Sequence, residues 1–328
     1  MRVAADELLD LAARLLSSAG AGREAARQTA SSLVDADLRG HDSHGTWLVP
    51  DYAARLEDGR VDGAAAAPRI DVDRGSTVTV DAGGALGQAA APWIAALAAE
   101  RAREHGVAVI AVTRCGHLGR LFDTAEGIAA KGAIGIVFAN DSGRSEVVAP
   151  FGGTLPRLAT NPIAIGIPRR QPPHLVLDMA TSVTSYGTLA VGRESARLDP
   201  QGSTDGGVLL PAAGAKGTGL ALAVDVLAGV LTGAGHSGRP AEGDYQGILV
   251  VALDPRRFLE PARLVDGVEE LVAHVKDGNP DVLVPGEAGE ASRVAAAGWV
   301  QVPATTWAQL TALAAEHGID IPAIEEEA

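Results

Sequence analysis

Six short runs of aliphatic and β-branched residues, at 77–80, 107–112, 134–138, 163–167, 175–179 and 248–253, constrain this chain more than any other feature. Runs of this length and composition suit strands buried on at least one face, and so many of them exclude an all-helical fold. Helical periodicity is predicted between or after them, over 88–104, 119–131, 217–231, 262–275 and 305–317, giving an α/β organisation. Strict alternation fails over 140–185. Two strands there follow a glycine- and proline-rich stretch with no length for a crossover helix, so the sheet is predicted to be mixed.

The first sixty residues carry no such run. Leu8, Leu11, Leu15 and Leu16 fall at helical spacing, and a second helical stretch over 24–38 ends at Gly40. A connector containing Ala and Pro follows at 62–68. The expected organisation is a helical N-terminal domain over 1–67 and an α/β region over 68–304, with the helix within 305–328 packing on the first unit. A chain of 328 residues is long enough for both. The low-complexity patches at 64–67 and 325–327 read as solvated linker and terminus.

Charge and composition exclude several partners. A formal charge of −14 opposes phosphate backbones, no basic run offsets it, and aromatics at 3% leave few stacking surfaces, so nucleic acid is not an expected partner. No apolar run approaches the roughly 20 residues of a membrane span. Asp6, Glu7 and Asp10 stand where a signal peptide needs a basic end and an unbroken apolar stretch, so secretion is not expected. The single cysteine, Cys115, excludes an internal disulfide and a multi-thiolate zinc site, which points to the cytoplasm.

Several short motifs carry chemistry. Gly233, Gly235 and Gly238 satisfy GxGxxG, but they follow a helical run, whereas a dinucleotide fingerprint needs a strand before it and a helix after it. RGHDSHG at 39–45 is a glycine-bounded loop after the second helix; His41 and His44 lack a clear third ligand for a metal, and His44 beside Ser43 suits proton transfer better. His117 follows the strand at 107–112. It is either a ligand-facing residue at a strand end or the histidine of a capping turn that points to water. Asp178 closes the strand at 175–179, where it either orients and charges a histidine or caps backbone amides. Lys216 heads a long apolar helix between glycines, as an anion partner or as a solvated lysine.

Taken in order, RGHDSHG (39–45), GHLGRL (116–121), PFGGTLPRLATNPIAIGIP (150–168), LDMATS (177–182), LLPAAGAKGTGLALAVDVLAGVLTGA (209–234) and VPGE (284–287) resemble the malate/L-lactate dehydrogenase family. That family includes ureidoglycolate, sulfolactate and diketogulonate dehydrogenases and cyclic-imine reductases. The resemblance spans nearly the whole chain. It implies a non-Rossmann NAD(P)-binding fold of the L-sulfolactate dehydrogenase type, a homodimer, and hydride exchange between NAD or NADP and a small 2-oxo or 2-hydroxy acid or related ketone. Two alternatives stand beside it: a cyclic-imine reductase of a specialised pathway, and a non-redox binding descendant.

By position, the resemblance implies His44 as proton donor assisted by Ser43, His117 as acid/base or cofactor-lining residue, and Asp178 in support. It implies cofactor contacts at His117, Leu118, Gly119 and Arg120, at Asp178, Met179 and Ala180, at Lys216, and at Pro285, Gly286, Glu287 and Arg293. Thr160, Asn161, Tyr186 and Gly187 match substrate-facing positions, and no metal is implied. The expected chemistry is an imidazolium protonating the carbonyl oxygen as hydride arrives at carbon. There are two departures. Leu48 stands where the family places an arginine that grips the substrate carboxylate, leaving Arg120 or Arg157 as substitutes. The segment from Gly187 to Val208 is also shorter than usual, lacking a proline- and tryptophan-containing stretch before 199–205.

Overall fold

The computed structural model describes residues 1–65, 67–141, 146–188, 208–240, 243, 245–279 and 281–324. In chain order the elements begin with β1 (Arg2–Ala4), α1 (Ala5–Ser18), α2 (Arg23–Leu38), α3 (Val49–Glu57), β2 (Arg69–Asp73), β3 (Thr77–Asp81), α4 (Gly87–His105) and β4 (Val107–Cys115). They continue with α5 (Phe122–Ala129), β5 (Ile134–Asn140), β6 (Ile163–Ile167), β7 (Leu175–Met179), α6 (Ala215–Val224), β8 (Gly235–His236) and β9 (Arg239–Pro240). The last are β10 (Gln246–Leu253), α7 (Pro261–Lys276), α8 (Glu287–Ala296), β11 (Trp299–Gln301) and α9 (Ala304–Glu316).

Seven strands form one sheet in the order β2-β3-β4-β10-β5-β6-β7. Only β3 and β4 run parallel, joined through α4; the other neighbours are antiparallel. The sheet is therefore mixed, as the spacing over 140–185 predicts, and it is not a doubly wound Rossmann sheet. β10 lies at its centre, between β4 and β5, which explains its nearly unbroken apolar run: the strand is buried on both faces. Gly233, Gly235 and Gly238 fall in the turn and two-residue ladder of β8 and β9, each at positive φ, with no following helix.

Two apolar clusters organise the packing. In one, α4 and α5 cover the sheet through Ile94, Ala98, Phe122 and Ile128 against Ile110, Val137 and Val250. The other gathers Leu8, Leu11 and Leu15 of α1, Leu33 of α2, Tyr52 of α3, and Trp307 and Leu310 of α9. Residues 299–301, which fall within the α/β stretch on sequence grounds, pair as β11 with β1 instead.

Three further boundaries differ from the sequence reading. α5 starts at Phe122 rather than 119, because 116–121 is an open loop with Gly119 at φ +75. The helix expected over 217–231 is α6 followed by a π-helical turn at Asp225–Val230. β2 is not among the runs read as strands; its Ile70 and Val72 alternate with charged residues, yet both are exposed, and the strand pairs only with β3. The tail 325–327 lies outside the described residues, among which no helix is long and apolar enough to cross a membrane.

Candidate active site

The histidine loop begins where α2 ends, with two short 3-10 turns at Asp42–His44 and Thr46–Leu48. Asp37, near the end of α2, anchors the second turn: its Oδ2 accepts from the Thr46 amide at 3.0 Å and from the Thr46 hydroxyl at 2.7 Å. Burial raises the Asp37 carboxyl to about 7 despite these two donors. Gly45 lies against the same carboxylate so closely that a Cβ would stand 1.6 Å from Asp37 Oδ1. Inside the loop Ser43 Oγ lies 2.9 Å from His44 Nδ1.

The end of β4 delivers His117 to the same place. Its ring runs nearly parallel to that of His44, with 5.9 Å between centroids and 14° between planes. Its Nδ1 lies 2.6 Å from the Tyr52 hydroxyl on α3, and Gln88 Nε2 on α4 donates to that hydroxyl at 2.7 Å. Two further contacts fix the backbone. The Leu118 amide donates to Gln246 Oε1 at 2.9 Å, and Gly87 packs so tightly that a Cβ would meet the His117 carbonyl oxygen at 2.4 Å.

Electrostatics keep both rings neutral at pH 7. Burial, then the charges of Arg120 and His41, lowers His44 to about 4. Burial, then His44 and Arg55, lowers His117 to about 3, although an edge of the ring stays open to the cavity. The resting form is therefore not the imidazolium expected from sequence. Nor does Asp178 charge either ring. Its Oδ2 accepts from the Phe122 amide at 2.8 Å, capping α5, and burial pushes its carboxyl up to about 6. The buried Cys115 thiol is pushed up to about 12, which makes it inert at neutral pH.

A cavity of about 1170 Å³ opens around the two rings, above the roughly 300–1,000 Å³ of ordinary small-ligand pockets. Ser43, His44 and Leu48 form one wall with His117, Gly119 and Arg120. Thr160 and Asn161, Asp178 with Met179 and Ala180, and Tyr186 with Gly187 also line the cavity. Gly187 approaches the loop itself: a Cβ there would sit 2.2 Å from the Ser43 carbonyl oxygen.

Other expected residues lie elsewhere. Leu118 is buried behind the wall, and Lys216 sits in the first turn of α6 away from it. The Pro285 carbonyl accepts from the Val176 amide, and Gly286 follows against the His174 carbonyl. Glu287 accepts from Lys276 Nζ at 2.6 Å and from Arg169 Nη1 at 3.1 Å, a structural clamp. Arg293 pairs with Glu290. The shortened stretch after Gly187 falls mostly at 189–207, outside the described residues.

Of the two proposed substitutes for the missing arginine, Arg157 is 62% exposed, faces Glu146 at 3.7 Å and does not line the described cavity. Arg120 does, but it is held between Asp35 and Asp123 and also donates to His41 Nδ1 at 3.3 Å. A third guanidinium, overlooked on sequence grounds, is in the wall: Arg55, paired with Asp51 at 2.7 Å, two helical turns beyond Leu48. Its signal was the seven-residue spacing, which puts Leu48 and Arg55 on one side of a helix. Tyr52 and Gln88 were missed too, because their role depends on a contact with His117 across 65 residues of chain.

The walls fit a nicotinamide cofactor with a small co-substrate. Besides the volume, Asn161 Oδ1 is buried without a hydrogen-bond partner, while Asn161 Nδ2 donates to the Ala221 carbonyl at 2.9 Å. The backbone there is held at φ +36, a strained value of the kind that collects at ligand sites. An unpaired buried acceptor of this kind suits a ligand donor such as a carboxamide.

A family model described as malate/L-lactate dehydrogenase matches residues 3–311. The L-lactate dehydrogenase of Cupriavidus necator is 31% identical, over 98% of this chain and 99% of that protein. The L-sulfolactate dehydrogenase of Methanothermobacter thermautotrophicus is 32% identical, over 88% of each. The structure of malate dehydrogenase from Pyrococcus horikoshii superposes with a TM-score of 0.87 at 27% identity, covering 98% of this chain and 97% of that one.

Proposed function

The chain belongs to the malate/L-lactate dehydrogenase family, and from that premise we propose that it exchanges hydride between NAD or NADP and a small 2-oxo or 2-hydroxy acid in the cavity between His44 and His117. One observation carries the reading: two parallel imidazoles at 5.9 Å, each with Nδ1 engaged by a hydroxyl, leave both Nε2 atoms for a ligand. A bound nicotinamide would supply the hydride acceptor; His44 Nε2 takes the hydroxyl proton as the carbinol C–H and O–H bonds break and C=O forms. His44 suits this role because its neutral ring donates from Nδ1–H to Ser43 Oγ, keeping the Nε2 lone pair as the base. Reduction returns the same proton from His44 to the carbonyl oxygen.

Arg55 takes the place of the missing carboxylate clamp. It lines the same cavity as His44 and His117, and its charge is among the causes that lower His117, which supports this reading. The helical unit over 1–67 with α9 supplies the histidine loop, Tyr52 and Arg55, and the α/β region over 68–304 supplies His117 and the cofactor side.

Titration of NADH and NADPH, followed by nicotinamide fluorescence, tests the cofactor; no change with either removes the reading. A panel of 2-oxo acids, ketones without a carboxylate and cyclic imines tests the substrate. The expected result is turnover of 2-oxo acids, with Arg55→Met raising KM about 10- to 100-fold through loss of a charge-assisted hydrogen bond. Turnover of imines alone would transfer the chain to imine reduction, and cofactor binding without any turnover would leave only a binding role.

The reading includes a homodimer. α6 and the turn after it present Leu220, Leu222, Val226, Val230 and Leu231 at 46 to 63% exposure, an apolar stripe of the sort that subunits cover. Sedimentation should give twice the chain mass of 33.3 kDa, and Val226→Glu should shift it to one.

A further inference from the structure

We propose that Tyr52 and Gln88 are positioning residues that lock His117 as a neutral imidazole with its proton on Nε2, so that it donates to the substrate oxygen while His44 takes the proton. The inference rests on the hydride-transfer reading above. It adds a division of labour between two rings that sequence position leaves equivalent.

The argument is an accounting of protons. A tyrosine hydroxyl has one hydrogen to donate. The Gln88 carboxamide nitrogen lies 2.7 Å from that oxygen and donates to it, so the hydroxyl's own hydrogen is available for His117 Nδ1 at 2.6 Å. Nδ1 is then an acceptor, and a neutral ring that accepts at Nδ1 carries its hydrogen on Nε2. Tyr52 and Gln88 are 1% and 2% exposed, so water cannot compete for either hydrogen bond. Among the described residues Nε2 has no hydrogen-bond partner, and the ring lines the cavity.

The neighbouring ring is free to take the other form. Ser43 Oγ at His44 Nδ1 can accept as well as donate, and a base at Nε2 requires the hydrogen on Nδ1. A substrate hydroxyl between the rings then meets one acceptor, His44 Nε2, for its hydrogen and one donor, His117 Nε2–H, for its lone pair. As C=O forms, the second hydrogen bond stays on the carbonyl oxygen, and in the reverse direction it stabilises the charge growing there. A ring held as a donor does this without changing protonation state, so one proton alone moves per turnover.

Nitrogen-15 NMR of histidine-labelled protein without ligands, with His117 assigned by its loss in His117→Asn, tests the lock directly. The expected spectrum has a proton-bearing Nε2 and a bare Nδ1 at neutral pH; in Tyr52→Phe the two tautomers should mix, and kcat should fall roughly tenfold or more with KM for the cofactor changed less than about twofold. A reversed relay, in which the Gln88 oxygen accepts from Tyr52 and His117 bears its hydrogen on Nδ1, would overturn the proposal even if turnover is normal. Because the wild-type spectrum, once assigned, needs no turnover, the lock can stand when the reaction assignment fails, and fail when that assignment stands.

Discussion

His44→Ala is expected to lower turnover by roughly 10²- to 10⁴-fold, the contribution general acid–base groups ordinarily make, with cofactor binding unchanged. The loss should appear in kcat and kcat/KM alike, because His44 acts on a proton in flight rather than on the bound ground state. A variant with full turnover would remove His44 from the proton path. The unsubstituted enzyme offers a second reading of the same group. Oxidation needs His44 neutral, and burial with the Arg120 charge lowers it from 6.5 to about 4, so kcat/KM for oxidation should pass pH 6.5 without an inflection and fall as pH drops toward about 4. An acid limb near 6.5 would assign the limb to a different group.

Acid also acts on the stability of the fold through buried groups, and the sign of the linkage differs among them. His44 and His117 have lowered values, so below 6.5 the unfolded chain binds protons the folded one does not, and stability falls with pH at up to about 1.4 kcal/mol per unit for each ring. Asp37 and Asp178 have raised values, about 7 and about 6 against an ordinary 3.8, so the folded chain holds protons that the unfolded one releases above 3.8. Their contribution is greatest at low pH and is lost as pH rises through the folded values. Between pH 3.8 and 6 the two pairs oppose one another, so that acid loosens the fold less than the histidines alone would.

Gly87→Ala should damage the site from outside it. A methyl group at this position would meet the carbonyl oxygens of His117 at 2.4 Å and Gly116 at 2.6 Å. Both are backbone atoms, so no rotamer change relieves the collision, and either α4 or the 116–118 segment must move. The expected cost is about 1–3 kcal/mol in thermal or denaturant unfolding, the usual range for overpacking. The kinetic loss should be larger in proportion, because the displaced segment carries His117 and sits one residue from the Gln88 contact. Gly267→Ala in α7 is the control: open space surrounds it, and relief of glycine's backbone entropy should leave stability level or raise it by about 0.5–1 kcal/mol. Equal stability of the two variants would show that the approach of α4 to His117 is looser than its distances indicate.

What could be read from the chain follows from range. The interior strands were legible because burial leaves a compositional trace within five to nine residues, as in β10 or β5, and the helices of the first sixty residues were legible through leucine spacing. β2 alternates Ile70 and Val72 with charged residues but has only two apolar positions, both exposed, and β1 and β11 have three residues each, too few for a period to show. The site divides in the same way. His44 and His117 declared themselves through glycine-flanked loops at element ends, but nothing local shows that the 72 intervening positions fold so as to bring the rings to 5.9 Å. Asp178 was read as charging a histidine or capping the amides that follow it, and it instead accepts from the amide of Phe122, 56 residues earlier in the chain. Tyr52 and Gln88 looked like ordinary helix residues because their chemistry lies wholly in a long-range contact.

The position of β10 bears on how such a polypeptide emerges from a ribosome. Its flanking partners, β4 and β5, end by Asn140, yet both await a strand that is not synthesised until residue 253. Until then a nascent chain carries two apolar strands, each paired on one side only, β4 with β3 and β5 with β6, and each with an open edge that is a template for stray pairing with other chains. Closure of the sheet is a late, sequence-distant event of the slow kind, so that premature termination anywhere short of β10 yields an aggregation-prone fragment rather than a smaller enzyme.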